Sequence, residues 1–197
     1  MTAPPHDEPI GVTFFTDAYA RAATEAHLSL GELRARVMST TAATKAGLPW
    51  LKLALFGTHA TARGSLRNNA NVLFICGVEA DYDADVMPPA EAVAALERAG
   101  LAGLVYTSPS HSATRNRWRV LGPTSEWLPP DARRALVGRL NAVLGGVLST
   151  ESFTLSQAYF YGSVGSNAHH GAWVVAGRCI DLAACRTYAH RRLMLES

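Results

Sequence analysis

The chain has 197 residues, of which 48% are hydrophobic, and its formal net charge is +2. A chain of this size is expected to form one domain with a sizeable core, since domains commonly contain about 100–200 residues. Its apolar runs are shorter than the ~18 residues that a membrane span needs, and residues 1–9 are too polar for a signal peptide. The three cysteines, Cys76, Cys179 and Cys185, have neither metal-ligand spacing nor a dense disulfide pattern. The sequence therefore predicts a soluble protein of a reducing compartment, the cytoplasm.

Charge is unevenly distributed along the chain. No acidic residue occurs between Glu32 and Glu79, an interval that contains Arg34, Arg36, Lys45, Lys52, Arg63 and Arg67. The acids then arrive together as Glu79, Asp81, Asp83 and Asp85. A second acid-free stretch after Glu97 contains Arg98, Arg115, Arg117 and Arg119. Clustered positive charge is typical of proteins that bind phosphate groups, although a solvated surface produces the same pattern.

The first third of the chain predicts a strand, two helices and a loop. The apolar run Gly11–Phe15 predicts a strand. Asp17 is the expected N-cap of a helix that continues to His27, and Ser29 is the expected N-cap of a second helix. Residues 48–56 are apolar but interrupted by a proline and a lysine, so their type stays open. Residues 57–71 are rich in Gly, Thr, Arg, Ser and Asn and predict a loop.

Strands and helices alternate in the rest of the chain. Val72–Val78 is a continuous apolar run, which predicts a strand covered on both faces. Paired prolines at 88–89 and 129–130 are expected to begin helices. Further strands are predicted at residues 101–107, 117–121, 158–161 and 172–175. This order predicts a single α+β domain with a mixed or antiparallel sheet flanked by helices.

The acidic segment Gly77–Asp83 follows the predicted buried strand. Side chains alternate in an extended chain, so Glu79, Asp81 and Asp83 are expected on one face. Carboxylates this close repel one another unless cations lie between them, and their hard oxygens suit Mg²⁺ or Mn²⁺. Such carboxylates hold the ions of two-metal phosphoryl transfer. A polar strand end followed by an Asp-rich turn is the alternative that spacing alone leaves open.

A hydroxyl-rich turn follows the next predicted strand. Ser108 and Ser110 can offer hydroxyl and backbone N–H groups to a phosphate, and His111 can add a donor or a positive charge. Arg117 and Arg119 share one face of the following strand, so both guanidinium groups can reach the same triphosphate. The alternative is an exposed basic strand beside a surface histidine.

A third segment begins at Glu151, which precedes a polar turn and an aromatic strand. Tyr159 and Tyr161 are expected on one side of this strand, with Phe160 on the other. Tyrosine rings are suited to stacking on bases, but packing in the core or at an edge is the expected use of at least one of them. No Gly-Lys-Ser/Thr loop is present, which disfavours an ATPase.

Together these segments resemble the three motifs of the archaeo-eukaryotic primase (AEP) superfamily. Glu79 and Asp81 look like the first motif, Ser110–His111 looks like the second, and Glu151 looks like the third. The wider resemblance is to a primase-like domain of plasmid and phage replication proteins. It covers roughly residues 48–181 and is carried by Asn69–Leu73, Glu79–Asp83, Tyr106–His111, Arg117–Val120 and Glu151–Gln157.

The resemblance implies an AEP-like fold with an RRM-like catalytic core and the activity of a template-dependent DNA primase or polymerase. It implies that Glu79, Asp81 and Glu151 hold two Mg²⁺ or Mn²⁺ ions, and that Asp83 and His111 assist in catalysis. The nucleoside triphosphate is expected to bind Ser108, Ser110, His111, Arg117, Arg119 and Gln157. The single-stranded DNA template is expected to contact Lys52, Arg63 and Arg67. Glu79 and Glu151 stand where relatives often have Asp, and Gln157 stands where they often have Arg, which removes a charge from the nucleotide site.

Residues 1–47 are expected to form an N-terminal helical subregion, and residues 48–197 the catalytic core of one compact domain. The resemblance implies that such domains are commonly joined to a helicase-like region, so a replicative helicase is an expected partner and a membrane is not. Two other functions stay open. A non-catalytic replication module would bind nucleic acid without binding metal and nucleotide together at the acids. A metal-dependent nuclease would cleave nucleic acid without any triphosphate.

Overall fold

The computed structural model describes residues 8–183, which contain three α-helices and eleven strands. The helices are α1 (Leu30–Ser39), α2 (Pro89–Ala99) and α3 (Arg133–Val143). The strands are β1 (Ile10–Phe15), β2 (Ala23–Leu28), β3 (Thr41–Ala42), β4 (Trp50–Lys52), β5 (Ala54–Phe56), β6 (Val72–Asp85), β7 (Gly103–Thr107), β8 (Asn116–Leu128), β9 (Tyr159–Phe160), β10 (Ser163–Val164) and β11 (Ala172–Val175).

Most strands belong to two antiparallel sheets. One sheet has the strand order β2-β1-β4-β9 and the other has the order β11-β7-β8-β6-β5. The short strands β3 and β10 form a separate parallel pair. This arrangement confirms the predicted α+β class in its antiparallel form.

The five-stranded sheet separates two hydrophobic cores. Successive residues of β7 point to opposite faces, so Val105 packs with α2 and α3 while Leu104 packs with α1 and the four-stranded sheet. Leu96 of α2 and Leu140 of α3 close the first core, and Leu33 of α1 lies in the second. The two sheets therefore form one body, since the second core contains residues of both.

The N-terminal region departs from its prediction. The helix expected from Asp17 to His27 is wrong: residues 10–28 form a β-hairpin in which β2 pairs with β1. Asp17 caps the turn instead, because its Oδ1 accepts hydrogen bonds from the N–H groups of Tyr19 and Ala20 at 2.8 and 3.0 Å. The expected division at residue 47 falls inside the four-stranded sheet, where Thr13 of β1 lies opposite Lys52 of β4.

The other elements follow the sequence more closely. Ser29 and Glu32 form a capping box at the start of α1, and α2 begins at Pro89. Strands β6 and β8 are both longer than expected, and β6 carries the whole acidic run to Asp85. Cys185 lies outside the described residues. Among residues 8–183 no helix has the length and apolar character that crossing a membrane requires.

Candidate active site

The acidic run occupies the second half of β6, which passes from the core to the surface. Alternation places Glu79, Asp81 and Asp83 on one face of this strand, but their environments differ. Glu79 is 0% exposed and Asp81 is 8% exposed, whereas the side chain of Asp83 is 53% exposed. The three carboxylates therefore cannot play equivalent roles.

Glu79 belongs to a buried triad with Lys52 of β4 and Arg133 of α3. Its Oε1 accepts hydrogen bonds from Lys52 Nζ at 2.5 Å and Arg133 Nη2 at 2.6 Å, and its Oε2 accepts one from the backbone N–H of Leu53 at 3.0 Å. Burial opposes ionisation of Glu79, but the two cations outweigh it and hold the pKa of the carboxyl below its ordinary value. Burial also lowers the pKa of Lys52, an effect that Glu79 opposes.

The buried triad includes two residues that the sequence assigned to other roles. Glu79 was expected to bind a metal ion, yet its oxygens are bonded by two cations and a backbone N–H group and have no contact with solvent. A divalent cation here would add to an existing excess of positive charge. Lys52 was expected to contact template phosphates, but its side chain is 0% exposed. Arg133 was missed because nothing local distinguishes it from other basic residues of an amphipathic helix.

Asp81 faces Arg119 across the β6–β8 pair. Arg119 Nε donates to Asp81 Oδ1 at 2.7 Å, and the Arg119 guanidinium lies 5.1 Å from the centre of the Tyr159 ring. Burial raises the pKa of Asp81, although Arg119 acts in the opposite direction. The backbone of Asp81 is held by two serines: Ser152 Oγ accepts from its N–H, and the Ser149 N–H donates to its carbonyl, both at 3.0 Å.

Arg117 connects the outer acids to the predicted histidine. Its Nη1 lies 2.9 Å from Asp83 Oδ1, and its Nε lies 2.8 Å from Asp85 Oδ1. The backbone N–H of Arg117 donates to His111 Nδ1 at 3.2 Å. Burial and then the nearby His169 lower the pKa of His111, which favours the neutral ring that this hydrogen bond requires. His111 therefore supports β8 as a neutral side chain, whereas the sequence allowed it a positive charge.

These ion pairs supply another reason for the clustering of acids. The sequence argument was that close carboxylates need cations between them. Arginines of β8 and the buried triad already provide positive charge at each acid of the run. Of the two arginines expected to serve a triphosphate, Arg119 lines the pocket described next, whereas Arg117 binds Asp83 and Asp85 and does not line it.

One open pocket collects three of the predicted carboxylates. It lies where β9 and the turn Thr150–Phe153 meet the ends of β6 and β8, and Asp81, Asp83 and Glu151 line it together. Glu151 is brought there because Ser149 and Ser152, on either side of it, bind the backbone of Asp81. The remaining lining residues are Lys45, Trp50, Arg119, Ser149, Gln157, Ala158, Tyr159 and Phe160. We call this the acidic pocket.

The hydroxyl-rich turn does not line the acidic pocket. Ser108 is buried, and its N–H donates to the carbonyl of Arg117, while its Oγ accepts from the N–H of Ser110. The turn therefore satisfies its own polar groups and supports the start of β8. The predicted contact of Ser108, Ser110 and His111 with a triphosphate has no counterpart in this arrangement, whereas Gln157 does line the pocket.

The aromatic strand packs both of its tyrosines inward, a use that was expected for at least one of them. Tyr159 and Tyr161 are 4% and 2% exposed, so they pack in the interior, and Phe160 of β9 lines the pocket beside Trp50 of β4. Of the predicted template contacts, Arg63 is exposed in the loop and Arg67 lies over the Trp50 ring at 4.7 Å. Lys45 and Trp50 were missed as site residues because only the pairing of β4 with β9 brings them to the acids.

Comparison with protein families and with curated proteins gave no match. Among solved structures, the chain is similar to the AEP domain of the primase–polymerase of cyanophage S-2L. The two chains are 14% identical, the match covers 79% of this chain and 72% of the other, and the TM-score is 0.41.

Proposed function

We propose that this protein is a metal-dependent nucleotidyltransferase that adds nucleotides to a nucleic-acid strand along a single-stranded template. The observation that carries the proposal is the acidic pocket, in which Asp81, Asp83 and Glu151 meet Arg119 and Lys45. A nucleoside triphosphate with its divalent cations needs both kinds of charge: carboxylates for the ions and cationic side chains for the phosphates. The resemblance of the motifs to primase-like domains supports a role in plasmid or phage replication.

The donor atoms of the pocket fit Mg²⁺ or Mn²⁺, because both ions prefer carboxylate oxygens. Asp81, Asp83 and Glu151 would hold them. Within residues 8–183, no three His, Cys, Asp or Glu side chains already cluster closely enough to share an ion. A shared ion therefore requires a new rotamer at Asp83 or Glu151, and exposed side chains of this kind change rotamer within about nanoseconds. When bound, such ions would neutralise the triphosphate and promote loss of the proton from the attacking hydroxyl.

The surrounding residues supply position and charge. Ser149 and Ser152 fix the backbone of Asp81, and Arg117 restrains the exposed Asp83 at the rim. Arg119 lines the pocket and offers donors to the phosphate oxygens of the triphosphate. Positioning and charge stabilisation of this type account for most of the rate in phosphoryl transfer, where little covalent work is asked of the protein.

The test compares two neighbouring aspartates in an extension assay. Asp83 and Asp85 both pair with Arg117, but only Asp83 lines the acidic pocket. Purified protein is incubated with labelled nucleotides, Mg²⁺ or Mn²⁺ and a single-stranded template, with and without a primer. We expect Asp83→Asn to abolish product and Asp85→Asn to retain it. Synthesis by Asp83→Asn at the wild-type rate would overturn the proposal.

A second candidate is a non-catalytic nucleic-acid-binding module of replication. It is favoured by the ion pairs at every acid of β6, which already balance the charge of the run. In that case the wild-type protein binds the template but makes no product under any metal or nucleotide. A nuclease would instead shorten the template without added triphosphate in the same assay.

A further inference from the structure

Two aromatic side chains lie against each other at one wall of the acidic pocket. Trp50 of β4 and Phe160 of β9 lie directly opposite each other in the antiparallel pair. Their ring centroids are 4.3 Å apart and the rings are tilted by 49°. Both side chains are half-buried and both line the pocket. We call this pair the aromatic platform.

A cation lies over each ring of the aromatic platform. Lys45 Nζ is 5.6 Å from the centre of the Phe160 ring, and the Arg67 guanidinium is 4.7 Å from the centre of the Trp50 ring. Within residues 8–183, neither cation forms an ion pair with a carboxylate, unlike Lys52, Arg117, Arg119 and Arg133. Both side chains therefore remain available to an anionic ligand, although Lys45 lies near enough to Asp81 to oppose the rise in the pKa of that carboxyl.

Two buried donors at the platform also lack acceptors. Trp50 Nε1 and Arg67 Nε have no hydrogen-bond partner among the described residues. Both groups can only donate, and a buried donor without an acceptor is unfavourable. Both donor atoms are enclosed by protein, so a ligand with acceptor oxygens reaches them only after a change of rotamer at Trp50 or Arg67.

We propose that the aromatic platform binds the bases of single-stranded nucleic acid, while Lys45 and Arg67 contact its phosphodiester backbone. Aromatic rings flanked by cations are how proteins bind single strands without sequence preference, because every base has a face that stacks. A duplex is a poor ligand for this surface, since its bases are already stacked on one another. The role of that strand as a template rests on the proposed function, but the binding itself needs neither metal nor nucleotide.

The binding is measured by fluorescence anisotropy of a labelled oligothymidylate of about 16 nucleotides, in EDTA and without triphosphate. Four variants of the full chain are compared with the wild type. Phe160→Ala removes one ring, Phe160→Tyr keeps it, and Lys45→Ala removes one cation. Trp173→Ala is the control, because Trp173 is also exposed but lies on β11 at the far edge of the other sheet.

We expect Phe160→Ala to weaken binding roughly 5- to 150-fold, with Phe160→Tyr close to the wild type and Trp173→Ala unchanged. Lys45→Ala should lower the slope of log Kd against log salt concentration by about one. Thermal unfolding of each variant controls for misfolding, and recovery of binding in Phe160→Tyr shows that the ring itself is needed.

Equal binding by all variants, or no binding by the wild type, would overturn the inference. A second result would also overturn it: Phe160→Ala loses affinity for a nucleoside triphosphate but keeps its affinity for the oligonucleotide. The platform would then bind the base of the incoming nucleotide. This assay separates the two proposals. If the variants bind as expected and the wild type makes no product, the proposal of a nucleotidyltransferase is rejected and the proposal for the platform is retained. If the wild type extends the strand but the variants do not differ in binding as expected, only the proposal for the platform is rejected.

Discussion

Replacing Glu79 by Gln distinguishes between a structural role of this carboxylate and a role as a metal ligand. In the buried triad, this change leaves Lys52 and Arg133 buried without a counter-charge, and it places an amide N–H₂ group near their donors. Removing one partner of a buried ion pair commonly costs about 3–5 kcal/mol. For a domain of this size each kcal/mol lowers Tm by about 2–4 °C, so the expected fall is roughly 6–20 °C.

The assay is thermal unfolding in EDTA, followed by circular dichroism. The matched variant is Asp83→Asn on the same face of β6, where the loss of an exposed ion pair should cost about 0–1 kcal/mol. Adding Lys52→Met to Glu79→Gln should recover part of the stability, because one of the two uncompensated cations is then removed. The reasoning is refuted if Glu79→Gln unfolds at the wild-type temperature in EDTA and differs from the wild type only when Mn²⁺ is present.

Two more expectations follow from the contacts of Glu79 and of Ser152. Because Lys52 and Arg133 hold the pKa of Glu79 below its ordinary value, the folded protein binds fewer protons than the unfolded chain at acidic pH. The stabilisation by ionised Glu79 should be complete above the ordinary pKa of a glutamate and should disappear as the pH falls through the lowered pKa. Urea unfolding across this pH range should show that the free energy of unfolding falls more steeply with decreasing pH for the wild type than for Glu79→Gln. Ser152→Ala removes the acceptor of the buried Asp81 N–H and the partner of the Tyr159 hydroxyl, so it should cost about 1–3 kcal/mol and slow nucleotide addition. Urea unfolding measures the first effect and the extension assay the second; wild-type values in both would show that these bonds do not position Asp81.

Strands β6 and β7 were predictable because burial on both faces produces a continuous apolar run in the sequence. Val72–Val78 is continuously apolar, and β6 is indeed an interior strand of its sheet, although Leu73 and Phe74 near its start are exposed. The hairpin strand β2 has no such apolar run, because it is an edge strand and mostly exposed. It is also rich in alanine, so its composition resembles that of a helix. Its conformation is set by pairing with β1.

The acids of the candidate site were found from spacing, but their partners were not. Alternation correctly placed Glu79, Asp81 and Asp83 on one face. Which of them is buried, and which cation compensates it, depends on β4, β8 and α3, whose residues are distant in the sequence. The same limit applies to the aromatic strand: alternation showed that Tyr159 and Tyr161 share a face, but only the packing shows that this face is internal.

The most direct test of the central claim is binding of Mn²⁺ in the presence of a non-hydrolysable nucleotide, followed by electron paramagnetic resonance. The proposal predicts that the wild type and Asp85→Asn bind Mn²⁺ alike, and that Asp83→Asn and Glu151→Gln bind it at least ~10-fold more weakly. Equal affinity in all four proteins, or no binding by the wild type, would contradict the assignment of the acidic pocket as a metal-dependent active site.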